Sequence, residues 1–214
     1  MNRKKAGIAF LLLGAVLILS ALLLFLRNTE ESRAAGESAR EALEEMQEYI
    51  WVIPTQPESE TSGETAQTEP VDPTMTVKTI NGHDYIGYLS LPKLELELPV
   101  MDQWSYPDLQ ISPCRELGSV KTDDMVVIAH NYPSHFGRLK ELQKGDEVSF
   151  TDMDGKVWEY KVSAVETVDP HNVEKVHNST HDLVLYTCTV GGEFRVTAFC
   201  DREKTNETQT EAQP

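Results

Sequence analysis

Three side chains in this chain have the types and settings that nucleophilic catalysis needs: Cys188, His130 and Arg195. Cys188 ends the stretch Leu183-Val184-Leu185-Tyr186-Thr187-Cys188, an apolar run that closes on a thiol between two threonines. Alternation along a strand puts Leu183, Leu185 and Thr187 on one face and Val184, Tyr186 and Cys188 on the other. Turning the leucines into a core sends the thiol outward. There it is either a nucleophile or an inert, half-buried cysteine, and position alone leaves both open. A thiol of pKa about 8.5 is only a few per cent thiolate at neutral pH, so a nucleophile requires a base or a positive neighbour.

Of the six histidines, His83, His171, His177 and His181 lie in polar, loop-like surroundings that suit solvated surface roles. His130 instead stands where the apolar run Met125-Val126-Val127-Ile128-Ala129 terminates. A strand end is held firmly by its sheet and suits a catalytic imidazole. His135, in a Pro/Ser loop, is the nearby alternative. No second cysteine or HExxH spacing makes these residues a zinc site, so neither metal nor cofactor is expected. Attack on a carbonyl also creates an oxyanion, which a fixed cation stabilises by about 2.7–4 kcal/mol. Arg195 follows Gly191-Gly192, and a hairpin there would put it on the outer face with Cys188. Its plainer role is a surface arginine paired with a carboxylate. The remaining cysteines are less suggestive. Cys200 shares a small apolar face with Val196 and Ala198 and reads as core, as a disulfide partner of Cys114, or as a reactive thiol.

These residues need a rigid scaffold. Strands are expected at "DYIGYLSLP", at the alternating Leu94 to Val100, at Met125 to His130, on both sides of the Asp154-Gly155 turn, at the thiol-bearing run and at Phe194 to Phe199. Helical pieces are expected only near "SYPDLQISPCREL" and "HFGRLKELQ". Seven or eight short strands imply an all-β sandwich or closed barrel.

Outside this region the chain changes character. Residues 6–26 carry no charge, and 21 residues at about 1.5 Å each give roughly 31 Å, enough to cross a bilayer core. Arg3, Lys4 and Lys5 precede the span, which places the N-terminus inside and the rest outside. Between Asn28 and Lys78, twelve acidic residues face only Arg33, Arg40 and Lys78, and much of the net charge of −16 comes from there. Such a stalk disfavours nucleic acid and anionic lipid as partners and suits a solvated spacer. Within it Ala39, Leu43, Met46 and Ile50 mark one face of a juxtamembrane helix. Residues 55–77 read as a disordered spacer, and a chain beginning at residue 78 is expected to fold and act alone. The resulting organisation is a cytoplasmic N-terminus (1–5), a transmembrane anchor (6–26), an acidic stalk (27–79), a catalytic β-domain (80–201) and a disordered tail (202–214).

Three motifs in order then resemble the sortase family. Leu185-Tyr186-Thr187-Cys188 matches the last four positions of the TLxTC signature, Arg195-Val196 resembles the active-site arginine strand, and "VVIAHNY" resembles the histidine segment. The resemblance runs from about Ile80 to Asp201. It implies a closed eight-stranded β-barrel with short helices, and a cysteine transpeptidase on the outer face of a Gram-positive-type cell membrane. Cys188 would attack the Thr carbonyl of an LPxTG-like sorting signal in a secreted protein and form a thioester. His130 would protonate the leaving amine and then activate the incoming one, and Arg195 would orient the signal and stabilise the oxyanion. Thr187 is expected to contact the substrate. The acceptor would be the amine of a peptidoglycan precursor, or less readily a pilin lysine. The Asp-Pro at Asp72 lacks the aromatic residue of a pilin-sortase lid, and no second span follows the barrel. Val184 replaces the first Thr of the signature, so no subclass is assigned. A hydrolase with the same triad and a non-catalytic tethered β-domain are the alternative readings.

Overall fold

The computed structural model describes residues 3–52 and 72–203, so most of the expected spacer and nearly all of the expected tail lie outside the described residues. Nine strands form one sheet. They are β1 (Lys78–Ile80), β2 (His83–Leu91), β3 (Leu96–Met101), β4 (Cys114–Leu117), β5 (Met125–Ile128), β6 (Glu147–Asp152), β7 (Val157–Val168), β8 (Leu183–Cys188) and β9 (Arg195–Arg202). The order β2-β3-β4-β5-β8-β9-β7-β6 returns to β2 through a β2–β6 pairing, which closes the expected eight-stranded barrel. The three-residue β1 is added beside the start of β2. Most neighbours are antiparallel; β3–β4 and β5–β8 are parallel.

The barrel is filled by the faces that alternation selected. Leu183 and Leu185 of β8 and Ala198 and Cys200 of β9 point inward, with Val127 of β5 and Phe150 of β6. Where the local reading differs, tertiary packing explains it. Leu94 belongs to a single 3-10 turn (Pro92–Leu94), and Glu95 takes a left-handed conformation, so β3 starts only at Leu96. The expected helical piece around Tyr106 splits into a one-turn helix α2 (Tyr106–Leu109), capped by Ser105, and strand β4. The other expected piece is a 3-10 turn (Leu139–Glu141), and a short helix α3 (Val173–His177) occupies the β7–β8 connection.

Helix α1 runs unbroken from Arg3 to Val52. Its apolar segment is long enough to cross a membrane, and none of that segment is buried within the protein. Beyond Leu26 the helix becomes amphipathic, and the stripe expected from the sequence is present. Its partner is the barrel. Ala35, Ala39, Ala42, Leu43 and Met46 are all buried. Ala42 and Met46 pack with Ile80, Tyr85, Met101 and Cys114 in a cluster outside the barrel lumen. This cover explains why Met101, on the outward face of β3, is 2 % exposed although period two predicts a half-solvated strand.

Candidate active site

Strand pairing brings the three candidate residues to one end of the barrel. On β8 and β9, Cys188 and Arg195 are directly opposed in antiparallel register, so their side chains leave the same face of the sheet. Across the other edge of β8, Ile128 pairs with Tyr186 in parallel register, and His130 and Cys188 each lie two residues further on. The Ala129 N–H donates to the Tyr186 carbonyl at 3.2 Å, which carries the strand contact one residue past β5. The Thr187 hydroxyl donates to the Ala129 carbonyl at 2.8 Å from the inward face. Thr187 is 2 % exposed, so this residue, expected to touch substrate, has its hydroxyl committed to the segment that carries His130.

Cys188 is half-buried and unpaired, as are the outward-turned His130 and Arg195 in exposure. Cys114 and Cys200 are buried free thiols rather than a disulfide. Burial pushes the Cys114 thiol up to about 12, and Cys200, wholly inside the barrel, also upward. Neither is a thiolate at neutral pH, which leaves Cys188 as the one solvent-accessible thiol of the three.

His130 opens a tight loop. Its carbonyl accepts from the Phe136 N–H at 3.2 Å, and the Tyr132 carbonyl accepts from the N–H groups of His135 and Gly137, each at 2.9 Å. A Cβ at position 137 would lie 2.4 Å from the Asn131 carbonyl, so only glycine allows this closure. The Tyr132 ring packs against the His130 imidazole with centroids 4.8 Å apart. Burial lowers the His130 pKa from its ordinary value, and the Glu31 carboxylate of α1 opposes that shift. His135, the alternative imidazole, is fully buried against the backbone of Ile111 and Ala35 without a well-aligned hydrogen bond. Burial and the nearby His130 hold its pKa down at about 4, so it is a neutral packing residue and not the proton donor.

The Arg195 guanidinium donates to the carbonyls of Gly192 and Phe194, both at 3.3 Å, and these bonds turn it along the β8–β9 turn beside Cys188. No carboxylate pairs with it among the ion pairs of the described residues, in contrast to its surface-arginine reading. One neighbouring group escaped the sequence reading. Glu116 is the extra residue at a bulge between β4 and β5, where Arg115 faces Val127 and Leu117 faces Val126. Its carboxylate accepts from the Tyr186 hydroxyl at 2.7 Å and meets His177 Nε2 at 3.1 Å. His177 was expected to be solvated; it ties α3 to the outer face of β8, two residues from the thiol. A bulge has no residue-type signature, so nothing in the sequence marked Glu116. Among the described residues no group of three or more His, Cys, Asp or Glu side chains is placed to hold a metal.

The model of the Sortase domain matches residues 89–203, which include all three candidate residues and all of the barrel except the first part of β2. The chain belongs to the sortase family. Sortase C1 from Streptococcus agalactiae shares 26 % identity and a TM-score of 0.51 with this sortase over 60 % of this chain and 72 % of that one. Sortase C1 from Streptococcus suis shares 25 % identity and a TM-score of 0.51, over 58 % and 76 %. Sortase A from Corynebacterium diphtheriae, at 16 % identity, has the same fold with a TM-score of 0.53 over 87 % of this chain and 98 % of that one. No curated protein matched this sortase. The family as a whole comprises cysteine transpeptidases that process sorting-signal proteins, and the apolar half of α1 is consistent with membrane attachment.

Proposed function

We propose that this sortase is anchored by residues 6–26 with its barrel on the outer face of the cell membrane, and that it transfers secreted proteins from an LPxTG-like sorting signal to a cell-wall amine. The observation that carries this reading is the register of β8: Cys188 faces Arg195 on one side and stands level with His130 on the other.

In this reaction the Cys188 thiolate attacks the carbonyl of the Thr residue in the signal. The developing oxyanion forms beside the Arg195 guanidinium, which is already oriented by the turn carbonyls and needs little reorganisation. The C–N bond breaks as the His130 imidazolium gives its proton to the departing amine, leaving a thioester on Cys188 and a neutral imidazole. An acceptor amine then attacks the thioester. His130 takes its proton, the C–S bond breaks, and the thiolate–imidazolium pair is restored. Arrival of a peptidoglycan-precursor amine completes the transfer.

The test is incubation of the protein with an LPxTG-type peptide, with and without an added amine, read by mass. Transfer of the acyl part to the amine is expected. Hydrolysis alone, with the amine unused, would identify a hydrolase of the same fold, and no cleavage at all would overturn the enzymatic reading.

A further inference from the structure

The loop that carries His130 does not close on itself alone. Helix α1 packs directly on it, at the level of Ser134. The Ser134 hydroxyl donates to the Ser32 carbonyl at 2.7 Å, and the two serine hydroxyls lie 3.2 Å apart. Gly36 permits this approach, because a Cβ there would meet the Ser134 Cβ at 3.0 Å, tighter than nearly all real contacts. Ala35, one residue before, is 3 % exposed, and His135, one residue beyond Ser134, is fully buried next to its backbone. Small residues at 32, 35, 36 and 39 therefore let the helix seat on the loop backbone.

We infer that the juxtamembrane part of α1 is a positioning element of the active site: Ser32 and Gly36 hold the His130–Gly137 loop, and through it the imidazole, in register with Cys188. The inference rests on the proposed transpeptidase reading for its activity arm and on geometry alone for its structural arm. The barrel anchors the far side of the loop, through Phe136 in its core and the Ile111 backbone beside His135, and α1 holds the tip. The loop's own bonds close its ends, at Phe136 to His130 and Gly137 to Tyr132, whereas Ser134 at its tip bonds to α1. The helix also brings charge. Glu31, one residue before Ser32, faces His130 and favours its protonated form. The other ionisable groups about this site are His135 and Tyr132 on the loop, Cys188 on β8, Arg195 on β9 and, on α1, Arg27, which pairs with Glu31 at 3.9 Å.

The experiment uses the full chain in detergent micelles with two variants. Gly36→Leu drives a bulky side chain between helix and loop; Glu31→Gln removes the charge and leaves the packing. Two readings are taken: turnover of an LPxTG-type peptide, and the His130 titration by NMR, which needs no substrate. Gly36→Leu should lower kcat at least about tenfold with little change in KM, and Gly36→Ala should fall between it and the parent. In Gly36→Leu the His130 titration should depart from the parental one, and in Glu31→Gln it should move to lower pH. A folded Gly36→Leu protein with parental kcat and parental His130 titration would overturn the inference. If Gly36→Leu does not fold, Gly36→Ala decides, and a parental kcat together with a parental His130 titration there overturns it. Absence of peptide turnover in the parent would sink the transpeptidase reading instead, while the titration still tests the helix.

Discussion

A single outward thiol among three cysteines sets up the sharpest expectations at the level of individual residues. Cys188→Ala should abolish peptide cleavage, with circular dichroism unchanged because the side chain is only half-buried. Native alkylation should label one thiol rapidly, whereas denaturant should expose all three; labelling of Cys114 or Cys200 at a similar native rate would contradict their burial. His135 gives a pH signature of a different kind. Its folded pKa of about 4 lies below the ordinary 6.5, so the unfolded chain binds a proton more readily than the folded one. Stability is therefore complete above about pH 6.5 and declines as pH falls towards 4, by up to about 3 kcal/mol. His135→Leu should flatten that decline in urea titrations at several pH values. An undiminished acid slope would show that other groups are responsible.

At the scale of elements, helix α1 decides how much of the chain the barrel requires. A protein beginning at residue 27 keeps the stripe from Ala35 to Met46 and should unfold at the parental urea midpoint. One beginning at residue 78 leaves Tyr85, Met101 and Leu109 uncovered and loses the burial of Leu43 and Met46. It should be less stable by about 3 kcal/mol or more. Equal midpoints for the two would mean that α1 contributes no stability. The same helix shows where sequence reasoning stops. The four-three-four spacing of Ala39, Leu43, Met46 and Ile50 revealed a helical face, because periodicity is local. Which surface that face covers depends on contacts across more than thirty residues of chain and has no local signature. β8 was legible for the opposite reason: alternation within six residues set the direction of Cys188, and the Gly191-Gly192 connection suggested the hairpin with β9, whereas the parallel pairing with β5 had no local signal. β4 was hidden because Cys114–Leu117 is too short and polar to show a period, and it pairs on only a few residues.

For the molecule as a whole, closure of the barrel and the distribution of charge matter most. The β2–β6 pairing leaves no long open edge in a domain whose three cysteines are all free thiols. The full chain carries a net charge of −16, and removing residues 1–26 takes away only the cations Arg3, Lys4 and Lys5, so the protein lacking them should not sediment with anionic vesicles at physiological salt; salt-sensitive binding would reveal a basic surface that the charge balance gives no reason to expect. In the full chain, the unbroken course of α1 has a geometric consequence. Six residues separate Leu26 from Ser32, a rise of about 9 Å, little more than the thickness of one layer of lipid headgroups. With the span in a bilayer, the helix would act as a fixed mast, and His130 would ride at constant altitude just above the lipid surface. Clients whose cleavage segment emerges at that height meet the enzyme directly, while segments displayed farther out would have to bend back to reach it.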